Sequence, residues 1–211
     1  MIFTESELIC FNSVLDGKQI VGLNIKDKKE MDDKKYVEDT VESLKKKGII
    51  DSIGQISKVG ILPIKALEDY KGCERHIAIN GSCFALINNQ EVISIRKIDS
   101  NYDILRVNKL SIITELLQKS AFLRKDSKPQ DYKSGERGIN ILELLVKDDN
   151  YLKDSLHINR YLKGEIMSNE IFFYDHNKGY KYDVIGKTLK EIQPCEVKKI
   201  IVDIFDIKVE E

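Results

Sequence analysis

The sequence predicts an α+β protein with a central antiparallel sheet flanked by helices, and three observations carry that reading. Between Gly72 and Phe122, short apolar runs alternate with turn clusters at Asn80-Gly81, Asn88-Asn89-Gln90 and Asp99-Ser100-Asn101. On both sides of that stretch, apolar residues recur every three or four positions, the helical spacing. The chain has 211 residues, enough to bury a core without staples in one domain.

Taken in order, Thr4 and Glu7 form a T-x-x-E capping box before a helix that runs to Leu15, with Leu8, Phe11 and Leu15 as its apolar face and Asp16-Gly17 as its stop. Ile20–Ile25 fits no single pattern, and Lys26–Lys35 is dense in both charges, as a solvated loop or a first helical turn is. Asp33–Lys47 reads as a helix with Val37, Val41 and Leu44 inward. Lys45, Lys46 and Lys47 sit at its C-terminal end, where the helix dipole favours cations, and Gly48 closes it. Residues 49–54 form a tight apolar turn. Ser57 can cap a helix through Tyr70 with Ile61, Ile64 and Leu67 inward, but Pro63 argues for a start nearer Leu62, with proline in the first turn.

The sheet comes next. Glu74–Ile79 alternates, with Ile77 and Ile79 opposite His76 and Ala78, and Asn80-Gly81 tolerates the two positive φ angles of a type I′ hairpin turn. Cys83–Ile87 is continuously apolar, as a strand covered on both faces is. Val92–Lys97 and Tyr102–Val107 follow as strands, and Asn108 caps a helix striped by Leu110, Ile113, Leu117 and Ala121, widened by Ile112 and Leu116.

Arg124–Gly138 is fifteen residues with almost nothing apolar, which predicts a mobile loop dividing the domain into halves, 1–123 and 139–211. Beyond it, Ile139–Lys147 and Tyr151–Lys163 read as helices, Glu170–Tyr174 and Tyr180–Ile185 as strands joined by a turn at 176–179, and Pro194 starts a helix striped by Val197, Ile200, Ile201 and Ile204. Helices, antiparallel strands and a helix thus follow one another twice, the order of a pseudo-twofold repeat.

Lysine and arginine number 34 and aspartate and glutamate 35, a net charge of −1 that gives no overall attraction to nucleic acid or anionic membrane. Cys10, Cys73, Cys83 and Cys195 are scattered without a C-x-x-C pair, the usage of a reduced, cytoplasmic protein. The N-terminus has neither the basic nor the apolar region of a signal peptide, and no apolar run is long enough to span a membrane.

No reaction is written in the residues. His76, His157 and His176 lack metal-ligand spacing, and Asp175-His176 reads as turn chemistry. Cys83 could neighbour His76 across the hairpin, but it opens the most apolar strand, where burial disarms a thiol. No phosphate-binding glycine motif occurs, so no cofactor, metal or catalytic residue is expected. Helix, turn, helix and hairpin over Asp33–Ile95 are winged-helix-like, which makes a DNA-binding regulator the alternative. However, the candidate recognition helix carries only Lys58 and Lys65 against Glu68 and Asp69.

The run Ser43-Leu44-Lys45-Lys46-Lys47-Gly48-Ile49-Ile50-Asp51, then Gly54, then a helix ending Leu67-Glu68-Asp69-Tyr70, resembles a pattern in the EspG-like proteins of type VII (ESX) secretion loci. The capped first helix and the chain length fit as well, and the lysine- and isoleucine-rich composition suits a low-GC Gram-positive member. The resemblance covers about the first 120 residues. It implies a non-enzymatic cytosolic chaperone or adaptor that shields the apolar end of a secreted protein partner and hands it to the secretion machinery. Such a protein needs an apolar or edge-strand surface for its partner. Ile93, Ile95, Tyr102 and Ile104 on the sheet, and Tyr132 in the long loop, are the expected contact residues.

Overall fold

The computed structural model describes residues 1–23, 25, 34–124, 155–175 and 178–207. Its elements, in chain order, are β1 (Ile2–Thr4), α1 (Glu5–Leu15), α2 (Lys34–Lys46), α3 (Lys58–Gly72), β2 (Arg75–Ile79), β3 (Ser82–Leu86), β4 (Glu91–Ile98), β5 (Asn101–Asn108), α4 (Lys109–Lys119), α5 (Ala121–Arg124), β6 (Leu156–Leu162), β7 (Glu165–Asp175), β8 (Lys178–Asp183), β9 (Thr188–Glu191) and α6 (Pro194–Ile204). The strands form one nine-stranded sheet of order β1-β5-β4-β3-β2-β6-β7-β8-β9, antiparallel throughout.

The strand block behaves as its alternation dictates. Asn80 and Gly81 both take positive φ, 47° and 81°, and close the β2–β3 hairpin. Ile77, Ile79, Phe84 and Val92 point to one face, where Ile112 and Ile113 of α4, Phe122 of α5 and Val197, Ile201 and Ile204 of α6 cover them. Ala78, Cys83, Ala85, Ile93 and Ile95 point to the other, under Leu8 and Phe11 of α1, Leu44 of α2 and Leu67 and Tyr70 of α3. β3 is therefore buried on both sides, as a continuous apolar run requires. Two four-strand meanders, β2–β5 and β6–β9, each end in a helix, and they join through the antiparallel β2–β6 pair. A twofold axis through that pair would generate the same arrangement, with α4 and α6 on one face of the sheet.

Several expectations are corrected. Leu156–Leu162 is strand β6, where a helix over Tyr151–Lys163 was expected. Only Leu156 and Ile158 of β6 are buried, an alternation too short to stand out in the sequence, and the bulge in its pairing falls on β7, at Met167. β1 and β9 are short edge strands that no periodicity announces. α3 begins directly after its Ser57 cap, with Pro63 in its interior, so the helix tolerates the missing N–H rather than starting at it. Ile61 and Leu110 face outward, at 54% and 59% exposure, and Val37 is also exposed; α2 buries Thr40 and Leu44 in its place. The expected helix at 139–147 lies outside the described residues, as does most of the predicted loop after Arg124.

Glu7 ties the N-terminal layer together. It is fully buried, and its carboxylate accepts from the Thr4 backbone N–H (2.7 Å), the Ser43 hydroxyl (2.8 Å) and the Lys47 ammonium (2.5 Å), completing the predicted capping box. One side chain thus joins β1, α1 and the end of α2.

Candidate apolar docking groove

α3 carries more apolar residues than one buried stripe needs. Leu67 and Tyr70 go to the core, while Val59 and Leu62 remain 51% and 73% exposed near the helix start. They line a groove of about 370 Å³ together with Met1 of the N-terminus and Phe3 of β1, with the buried Ile93 and Ile104 at its floor. Ile53 and Ile56, in the turn before α3, add further exposed apolar surface at 76% and 43%. A surface with several large apolar side chains left open is the kind that a partner covers.

The rim is polar and internally neutralised. Asp69 lies 3.2 Å from the Lys65 ammonium and 3.7 Å from the Arg106 guanidinium, and Lys65 also reaches Glu68 at 2.9 Å. These hydrogen bonds, to Glu68 first and then Asp69, hold the Lys65 ammonium above its ordinary pKa. The adjacent sheet edge is β1, whose Ile2 carbonyl is already taken by the Lys47 ammonium at 2.9 Å. An apolar trough with a charge-paired rim favours contact with another protein over phosphate neutralisation.

Of the residues expected to meet a partner, the structure brings Ile93 and Ile104 together at the groove floor. They are nonetheless interior, at 1% and 6% exposure, and Ile95 and Tyr102 are buried in the same cluster. All four were expected on an open sheet surface; α1 and α3 cover that face, so the wall residues Val59 and Leu62, not the sheet, present surface. Tyr132 lies outside the described residues. The wall residues were missed because Val59 and Leu62 sit among inward residues at nearly helical spacing. The surplus of apolar positions beyond one stripe was the available signal.

The other sites weighed on chemistry fall into the core. Cys83 is 1% exposed, donates to the Gly22 carbonyl, and burial pushes its thiol up to about 11, so it is no nucleophile near neutrality. His76 is buried too; burial lowers its pKa, and its Nε2 lies 2.9 Å from the Tyr70 carbonyl. Among the described residues no group of His, Cys, Asp and Glu is placed to hold a metal, and no helix is long and apolar enough to cross a membrane.

Residues 1–211 match the family described as Domain of unknown function (DUF5081). The chain belongs to that family. No curated protein matches it by sequence. Among solved structures, the chain is similar to one described as the Mycobacterium tuberculosis type VII secretion system chaperone EspG5 in complex with PE25-PPE41 dimer. The similarity has a TM-score of 0.54 at 9% identity, over 100% of this chain and 98% of that one. At that identity the likeness is one of fold, and it runs end to end. This DUF5081 chain therefore has an EspG-like α+β fold.

Proposed function

We propose that this protein is a non-enzymatic cytosolic chaperone or adaptor that binds a secreted protein partner of a type VII secretion system in a Gram-positive bacterium. The observation that carries the reading is the end-to-end likeness in fold to a type VII secretion chaperone solved in complex with a protein dimer. The groove beside α3 supplies what such a role needs: open apolar side chains for the apolar end of a helical partner, within a rim whose charges are paired. The DNA-binding alternative has weaker support. Lys65 of α3 is engaged by Glu68 and Asp69, and the hairpin that would serve as a wing lies inside the sheet.

The test is a pull-down from native lysate with the tagged wild type and with Leu62→Glu as baits, read by mass spectrometry. Recovery of a small helical secreted protein at near-equal stoichiometry with the wild type, and its loss with Leu62→Glu, is the expected result. Recovery of nucleic acid alone, lost with added salt, would overturn the reading in favour of a regulator. Equal capture of the helical protein by both baits would remove the groove as the contact.

A further inference from the structure

The start of α4 carries a second pocket that has no part in the groove. Lys109 is the first residue of that helix and is 2% exposed, among the most completely buried side chains in the protein. Its ammonium makes no hydrogen bond or ion pair among the described residues. The stem is enclosed by the fold while the ammonium opens on the pocket that Lys109 lines.

Its charge is only partly balanced among the described residues. Among the described residues the acid acting on it is Asp206, after α6, and Arg75 of β2 grips that carboxylate through two guanidinium nitrogens, at 2.5 and 3.1 Å. Two cations therefore share one anion. Burial lowers the Lys109 pKa, Asp206 raises it and Arg75 lowers it again. The helix terminus adds little, because the Lys109 N–H donates to the Gln90 carbonyl and the Leu110 N–H to Asn108 Oδ1, both at 2.8 Å. Lys109 lines a pocket of about 390 Å³ together with the amide residues Gln90 and Asn108 and the apolar Leu110 and Ile207.

We infer that this pocket binds a small carboxylate, with the Lys109 ammonium as its counter-ion. One uncompensated positive charge matches a monoanion better than a dianionic phosphate. The amides offer donors to the second oxygen, and Leu110 and Ile207 accept a short aliphatic body. The same chemistry is offered by a free short-chain acid and by the C-terminal carboxylate of a peptide.

The two sources are separated by titrating the full chain, ¹⁵N-labelled, with sodium butyrate, with the peptide Ala-Leu-Leu bearing a free carboxyl terminus, and with the same peptide as its amide. The backbone amide of Leu110 is the reporter. A saturable shift with butyrate or the free-acid peptide, none with the amide, and an affinity roughly tenfold or more weaker in Lys109→Met is expected, the loss of one charge-assisted contact. Tighter saturation by the peptide assigns the site to a chain terminus, and tighter saturation by butyrate to a free acid. Leu110→Glu, at an exposed position, sets a fixed carboxylate against the ligand and is expected to weaken binding even if the methionine variant fails to fold. Linear, non-saturating shifts with both carboxylates, or unchanged affinity in the variants, would overturn the inference.

Discussion

Replacing Glu7 with alanine is expected to be among the most damaging single changes in the N-terminal half. The carboxylate is fully buried and serves three donors at once, from Thr4, Ser43 and Lys47. Loss of its share of the capping box costs about 1 kcal/mol. Breaking a buried ion pair typically costs about 3–5 kcal/mol. Here the Lys47 side chain is 29% exposed and keeps the Ile2 carbonyl as an acceptor, so its ammonium can recover some hydration. The total is then about 3 kcal/mol, a melting temperature lower by about 6–12 °C for a chain of this size. Glu7→Gln keeps an acceptor for Thr4 and Ser43 but loses the charge, and about half the effect is expected.

The pH dependence has a definite sign. Burial raises the Glu7 pKa, but the hydrogen bonds from Lys47, Thr4 and Ser43 and the Lys47 charge outweigh it and leave the folded carboxyl more acidic than its ordinary value of 4.5. The stabilisation is therefore complete above the unfolded pKa and drains away as the pH falls through the folded one. Urea denaturation of wild type, Glu7→Gln, Lys47→Met and the double variant at pH 7, repeated at descending pH, measures both terms. A Glu7→Ala loss below about 1 kcal/mol, or a Glu7–Lys47 coupling near zero, would refute the reasoning.

Other outcomes follow from the packing. Gly60→Ala ought to gain about 1 kcal/mol from helix propensity, yet a methyl there would drive into the Ile49 backbone carbonyl, closer than any real Cβ approaches, so a net loss in urea denaturation is expected. Ile158→Ala is expected to cost about 2–5 kcal/mol, because Ile158 is fully buried on β6; a loss under about 1 kcal/mol would mean that β6 is not packed as described. Leu62→Glu is expected to stay within about 0.5 kcal/mol of wild-type stability, since Leu62 is 73% exposed. Iodoacetamide at mild alkaline pH is expected to label the exposed Cys195 first and Cys83 last, as peptide mapping would show.

The first meander was legible because its signals are local. Asn80-Gly81 sets a turn that needs no distant partner, and the inward sides of β2, β3 and β4 follow from a period of two. Asn108 capping α4 and Pro194 starting α6 were readable for the same reason. What was not legible depends on residues far away in sequence. β1 is a strand only because residues near 100 pair with it, and β9 only because β8 offers an edge. β6 buries only Leu156 and Ile158, an alternation too short to mark it. The groove was half-visible: Ile93 and Ile104 were picked as apolar sheet positions, but which side chains stay exposed depends on how α3 lies across them. The Lys109 pocket was invisible, since the helix pattern gives no reason for a lysine to be buried.

The join between β2 and β6 bears on how the chain acquires its shape. The hairpin between β2 and β3 closes over two residues, whereas Ile79 meets Ile158 across roughly eighty. On a logarithmic loop-closure law, the longer closure costs about 3 kcal/mol more entropy before any contact rewards it. Each meander can gather around its own neighbours well before the two find each other, and proteins rich in such distant pairings reach their final form slowly. In pulse-labelled refolding, amides of β3–β4 are expected to gain protection ahead of those that pair β2 to β6. The broad sheet is then a late product of two narrower ones, and until they join, each shows the other a bare strand to which any extended chain could add.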